Sequence, residues 1–217
     1  MTIELHCFGE SGNAYKAALT LELAGLEWSP VLVDFFNGEA RTERWRSEVN
    51  EMGEVPAMTS GDLHLTQSGV IQDWVVTETG KLGWANEAER YEILRWQFWD
   101  NHKMSSVAGP TRFLMNFLPA EKRSAEVIEF MQSRLQASLS VLEGYLTNRQ
   151  WIVGDRVTIA DLSCCSYLFY PEPFGFTRAN WPAIDAWLSR IEGLDGWVHP
   201  YTLMPRAITD DPPEERS

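Results

Sequence analysis

The feature that most constrains this chain is a single change of hydrophobic period, made at the short segment Gly80–Ala85 (GKLGWA). Before that segment, valine-rich and alternating runs of strand length are interleaved with helical ones. After it no strand pattern recurs, and apolar residues return only at helical spacing. A chain that switches period once has to build a sheet covered by helices first and an all-helical unit second. This reading gives a first domain at 1–80, a linker at 81–86 and an all-helical domain at 87–209. The tail at 210–217, with two prolines and four acids, has the composition of a disordered segment.

Within the first domain the expected order is βαβαββα. Ile3–Phe8 and Trp28–Phe35 read as strands, the second interrupted by Pro30. Between them, Ala14–Ala24 reads as a helix closed by Gly25. Arg41–Val49 reads as a short polar helix, Pro56–Ser60 and Leu63–Thr66 as a hairpin about Gly61–Asp62, and Ser68–Thr79 as the last helix. Beyond the linker, helices are expected over Glu87–Ser106, Ala120–Leu146, Thr158–Tyr170 and Trp181–Ile191. In the third of these, Thr158 and Asp161 have the spacing of a capping box, with Val157 and Leu162 as its hydrophobic staple.

Composition removes several function classes. A formal net charge of −13 opposes nucleic-acid binding, which needs clustered Lys and Arg. No apolar run reaches membrane-spanning length, and the N-terminal residues lack a basic and then apolar leader, so a cytoplasmic location without membrane contact is expected. Three cysteines, Cys7, Cys164 and Cys165, form no disulfide framework. No Cys/His spacing resembles a metal site, so no metal is expected.

Three segments carry the chemistry. Ser11-Gly12-Asn13 stands between the first strand and the first helix. Ser and Asn there serve as helix caps. They also place a hydroxyl and an amide beside free N–H groups at the positive end of a helix dipole, where an anion such as a thiolate is stabilised. Glu54-Val55-Pro56 precedes the hairpin. A proline there can simply open an edge strand, or a cis Val–Pro bond can present Val55's backbone to a peptide-like ligand. Gln67-Ser68 opens the third helix, where Ser68 can cap it or accept an α-carboxylate while Gln67 meets the accompanying ammonium.

A Ser-x-Asn-x-x-Lys segment after strand one, Val-Pro before strand three and Gln-Ser opening helix three together resemble the glutathione site of the cytosolic glutathione S-transferases, bacterial members especially. The strings SGNAYKAALTLELAGL and VNEMGEVPAMTSGDLHLTQSGVI carry the similarity, and the Thr158–Asp161 box extends it into the helical half. The resemblance implies a thioredoxin-like N-terminal domain followed by an all-α domain, a homodimer, and glutathione as co-substrate with no further cofactor. It implies glutathione binding by Ser11, Asn13, Glu54, Val55, Gln67 and Ser68, with Ser11 and Asn13 serving catalysis. The second substrate would be an apolar electrophile, met by aromatic residues of the Glu87–Ser106 helix together with Met104, Phe113 and Met115. A ligand-binding scaffold without turnover, or a glutathione-dependent peroxidase, would use the same site.

The chain departs from the family at some positions. Many relatives carry Gln or Lys where Glu54 stands. The isomerase branch prefers a Ser-Ser-Cys loop, and the branch that forms mixed disulfides places a cysteine here; Ser11 and Asn13 match neither. Cys7 falls inside the strand. It and the Cys164–Cys165 pair read as small buried residues.

Overall fold

The computed structural model describes residues 2–208; the predicted disordered tail at 210–217 lies outside them. Strand β1 (Ile3–Cys7) buries Ile3, Leu5 and Cys7 and turns Glu4 outward, as a period of two requires. Helix α1 (Gly12–Ala24) then returns the chain so that β2 (Trp28–Leu32) lies parallel to β1. β2 is three residues shorter than the valine pattern implied. It is an edge strand, which is why it tolerates Pro30 opposite Leu5. A single 3-10 turn (Glu39–Arg41) and helix α2 (Glu43–Glu48) replace the one predicted helix, with Trp45 packed against Val33 and Ala40.

Strands β3 (Ala57–Ser60) and β4 (Leu63–Thr66) make the hairpin, its turn at Gly61 taking φ +61°. The sheet order is β2-β1-β3-β4, with β3 antiparallel to β1. Helix α3 (Ser68–Thr79) follows at once and packs on α1. Among the described residues no strand follows Thr66. The fold is a thioredoxin-like sheet unit continued by a helical one.

Helix α4 (Glu87–Trp99) ends earlier than its pattern suggested. A wide π turn (Asp100–Met104) carries the chain into α5 (Ser105–Arg112), and a second (Phe113–Phe117) ends that helix. The first π turn falls where Asp100 points inward and is completely buried, as π turns often fall where a side chain is re-aimed. Its Oδ2 accepts from Lys16 Nζ at 2.5 Å and Ser163 Oγ at 2.8 Å, while Oδ1 accepts from Ser105 Oγ at 2.8 Å. Lys16 of the first domain is therefore a buried tie between the two halves.

The long helix α6 (Ala125–Leu146) is followed by α7 (Ile159–Cys165), every residue of which is buried. The capping box forms as expected: Thr158 N–H donates to Asp161 Oδ2 at 2.9 Å. Asp161 Oδ1 also takes the Ile152 N–H and the Trp187 indole N–H, both at 2.9 Å. Burial pushes the Asp161 carboxyl up to about 6, opposed by these hydrogen bonds. Helices α8 (Pro182–Glu192) and α9 (Pro200–Leu203) are the last helices among the described residues, each opened by proline in its first turn.

Candidate active site

A cleft of about 660 Å³ lies between the sheet unit and the helices, and Ser11, Asn13, Glu54, Val55, Gln67 and Ser68 all line it. Three separate loops deliver them, at 11–13, 54–55 and 67–68, because β1 and β3 are neighbours in the sheet and α3 starts directly after β4.

Ser11 is the N-cap of α1, and its Oγ accepts from Ala14 N–H at 3.1 Å. The bond uses a lone pair and leaves the hydroxyl proton available to an acceptor in the cleft. The capping role and the anion-binding role are thus compatible in one hydroxyl. Asn13 also faces the cleft, and its Oδ1 is buried with no hydrogen-bond partner among the described residues. Gly12 between them packs so closely on the Tyr167 ring that a Cβ would lie 2.6 Å from it. Burial raises the Tyr167 phenol to about 12, so it stays protonated at neutral pH beside this turn.

The Val55–Pro56 peptide is cis, and Val55 lies just beyond the β1–β3 ladder, whose last pair is His6 with Ala57. Its backbone is thus at the sheet's open end, on the cleft wall. Gln67 has φ +68°, a left-handed region that a non-glycine residue seldom adopts without a local reason. Its Nε2 donates to Glu54 Oε2 at 2.6 Å. Glu54 therefore sits beside the start of α3, next to Ser68, with its charge facing the same end of the cleft. That pairing could not be read from spacing, since the two residues belong to separate loops.

The apolar wall differs from expectation. Tyr91, Trp96, Phe98 and Trp99 of α4 do not line the cleft; Trp96 is core, and Tyr91 and Phe98 are 64% and 70% exposed. Met104 is buried and Met115 packs against the core. Of the residues singled out, only Phe113 faces the cleft, joined by Phe8, Phe35, Phe36 and Phe117, which the sequence reading passed over. Phe36, in the loop after β2, reaches across to the helical half, its ring 5.3 Å from that of Phe117 and 6.4 Å from that of Phe113. Phe35 ends the run expected as the second strand, whereas β2 stops at Leu32 and leaves Phe35 and Phe36 in the loop that follows.

Two cations also border the cleft, Arg41 and Arg112. Arg41 is exposed, whereas Arg112 is buried and committed to Glu172, Tyr201 and the Glu10 carbonyl. None of the three cysteines lines the cleft. All are free and buried, and burial raises their thiols, Cys7 to about 12. The nucleophile has to come from elsewhere.

A thioredoxin-like sheet unit whose loops open onto an all-helical unit, with a cleft at the junction, is the architecture of the glutathione transferases. Family models agree: residues 1–77 match the glutathione S-transferase N-terminal domain and 110–195 the C-terminal domain. The chain belongs to the cytosolic glutathione S-transferase family.

Among curated relatives, it is 27% identical to a probable glutathione S-transferase of rice, GSTF1, over 84% of this chain and 87% of that one. It is 29% identical to the disulfide-bond oxidoreductase YfcG of Escherichia coli, over 85% of this chain and 87% of the relative. Among solved structures, a possible glutathione S-transferase from Rhodopseudomonas palustris superimposes with a TM-score of 0.81 at 28% identity. The match covers 91% of this chain and 97% of that one.

Proposed function

We propose that this chain is a glutathione transferase that joins the glutathione thiolate to an apolar electrophile, with Ser11 as the hydroxyl that ionises the thiol. The observation that carries this reading is the convergence of three separate loops on one cleft, with the Ser11 hydroxyl at the start of α1. Glutathione lies along the sheet's open end and pairs with the Val55 backbone. Its γ-glutamyl carboxylate meets Ser68 at the N-terminus of α3, and its ammonium meets Gln67 and Glu54. The exposed guanidinium of Arg41 is the cation available to the glycyl carboxylate.

The energetics are adequate. A thiol of pKa about 8.5 is only a few per cent thiolate at neutral pH. Lowering it by about two units requires roughly 2.7 kcal/mol of preference for the thiolate. A hydrogen bond to a charged partner supplies about 1.5–3 kcal/mol, and the α1 dipole adds a few tenths to about 1 kcal/mol. The protein ionises and aims the nucleophile, and the phenylalanine wall holds the electrophile above it.

Two features support a cytoplasmic homodimer: three free cysteines, which suit a reducing compartment, and the exposed Tyr91 and Phe98, seven residues apart on one side of α4. Light scattering should give twice the 24.8 kDa of one chain.

A second reading rests on the YfcG relative. The same thiolate would attack a small disulfide, forming a mixed disulfide and releasing a thiolate. A second glutathione would then displace the remaining half as a thiol, leaving glutathione disulfide. No protein cysteine takes part. The deciding experiment is one panel of glutathione with aryl halides, epoxides, hydroperoxides and a dialkyl disulfide, alongside a titration of thiolate absorbance in the glutathione complex. Conjugate formation supports the transferase. Turnover confined to hydroperoxides or the disulfide favours those activities, and binding with no thiolate band at neutral pH favours a scaffold.

A further inference from the structure

The turn that carries Ser11 belongs to the sheet unit in sequence, yet it is held almost wholly from the helical side. Tyr170 Oη donates to the Gly9 carbonyl at 2.7 Å, and Arg112 Nη1 donates to the Glu10 carbonyl at 2.6 Å. The Gly9 N–H donates to the Pro205 carbonyl at 2.7 Å. The chain after α9 lies flat on this turn: a Cβ on Gly9 would stand 3.2 Å from Arg206 Cγ and 3.3 Å from the Met204 carbonyl.

The Glu10 side chain completes the arrangement. It is 1% exposed and uses both carboxylate oxygens on the C-terminal segment. Oε2 accepts the Ala207 N–H at 3.0 Å, while Oε1 accepts the Ile208 N–H at 3.2 Å and Arg206 Nε at 3.3 Å. Two consecutive backbone N–H groups and a guanidinium suit a carboxylate, which is acceptor-only; an amide would set its own NH₂ against one of them. Arg112 is itself immobilised, its guanidinium lying 3.8 Å from the Tyr170 ring centroid and bonded to Glu172.

We propose that Glu10 is a positioning residue for thiol ionisation: by fastening residues 205–208 across the Gly9–Ser11 turn, it fixes the Ser11 hydroxyl where the glutathione sulfur lies. The inference rests on the reading that Ser11 donates to the thiolate. A hydrogen bond weakens steeply with distance and angle, so a turn free to drift by a few tenths of an ångström loses thiolate stabilisation before it loses the peptide. Residues 205–208 of the helical domain are then part of the thiolate site, though none of them touches the sulfur.

Two full-length variants test this. Glu10→Gln removes the charge and one acceptor, and Ala207→Pro deletes one of the N–H donors without altering Glu10 or the cleft. For each, thiolate absorbance of the glutathione complex is titrated, and affinity is measured for S-methylglutathione, which has no thiol to ionise. The bound-thiol pKa is expected to rise by about 0.5–1 unit in both, which lowers kcat/KM below that pKa by roughly three- to tenfold. At higher pH the rate should recover, with S-methylglutathione affinity held within about twofold.

A merely structural role would lower the melting temperature and leave the pKa where it was. An unchanged thiol pKa in both variants, with Ser11→Ala raising it, would overturn the proposal and spare the Ser11 assignment. An unchanged pKa in Ser11→Ala as well would overturn both. If Glu10→Gln does not fold, Ala207→Pro decides alone.

Discussion

Replacing Ser11 by alanine should damage the protein in two separable ways, because the hydroxyl that caps α1 is also the one proposed to ionise the glutathione thiol. As N-cap it accepts the Ala14 N–H at 3.1 Å, and losing a cap of this kind costs about 0.5–2 kcal/mol. For a chain of this size that is a fall in melting temperature of roughly 1–8 °C. In its proposed role as donor to the glutathione thiolate it would supply about 1.5–3 kcal/mol, so its loss should raise the bound-thiol pKa by roughly one to two units. The acid limb of kcat/KM then moves to higher pH, and the rate at neutral pH falls about ten- to hundredfold. Glycine separates the two effects, since it costs only a few tenths of a kcal/mol at an N-cap yet carries no hydroxyl. Ser11→Gly should therefore melt close to wild type while shifting the thiol as far as Ser11→Ala does. The assay is thiolate absorbance against pH in the glutathione complexes of wild type, Ser11→Ala, Ser11→Gly and Asn13→Ala. If only Asn13→Ala moves the titration, the amide is the donor and the argument from the Ser11 proton fails. If alanine moves it and glycine does not, the order of the helix start matters and the hydroxyl does not.

Ser68→Ala should raise KM for glutathione by about tenfold or more with kcat less affected, since a carboxylate contact is made equally in ground and transition states; steady-state kinetics at saturating electrophile check it. Lys16→Met leaves Asp100 buried and unpaired and should cost about 3–5 kcal/mol in a urea melt, much of it recovered by Lys16→Met with Asp100→Leu. Asp161→Ala strands the N–H groups of Ile152, Thr158 and Trp187, each worth about 1–3 kcal/mol when buried without a partner, so at least 3 kcal/mol should be lost. Burial opposes ionisation of Glu172, but the Tyr201 hydroxyl and the Arg112 charge outweigh it and hold its pKa below the ordinary 4.5. A depressed acid stabilises the fold above its unfolded pKa and stops doing so as pH falls through the folded value. The stability gap between wild type and Glu172→Gln should accordingly be full at pH 6 and shrink below about pH 4.5.

What the sequence determined by itself is local. The start of α1 at Ser11, its end at Gly25, the hairpin about Gly61, the opening of α3 at Ser68 and the Thr158–Asp161 box are each set by a few adjacent residues. In each, a side chain or a backbone preference satisfies groups within one turn of chain, and short-range chemistry of that kind is written in spacing. The three loops of the candidate site were legible for the same reason, each being an element boundary.

Only the tertiary structure decided which elements meet. Periodicity showed that α4 has an apolar side, and it could not show that Trp96 enters the core while Tyr91 and Phe98 stay outside and none reaches the cleft. The phenylalanines that do line it come from the residue after β1, the loop after β2 and the second π turn, and no sequence period links those places. The Glu54–Gln67 pair, the Lys16–Asp100 tie and the hold of Ala207 and Ile208 on Glu10 join residues 13, 84 and nearly 200 apart. The first is set by how the hairpin and α3 close the sheet unit, and the other two by packing the helical unit against it, where burial selects the partner.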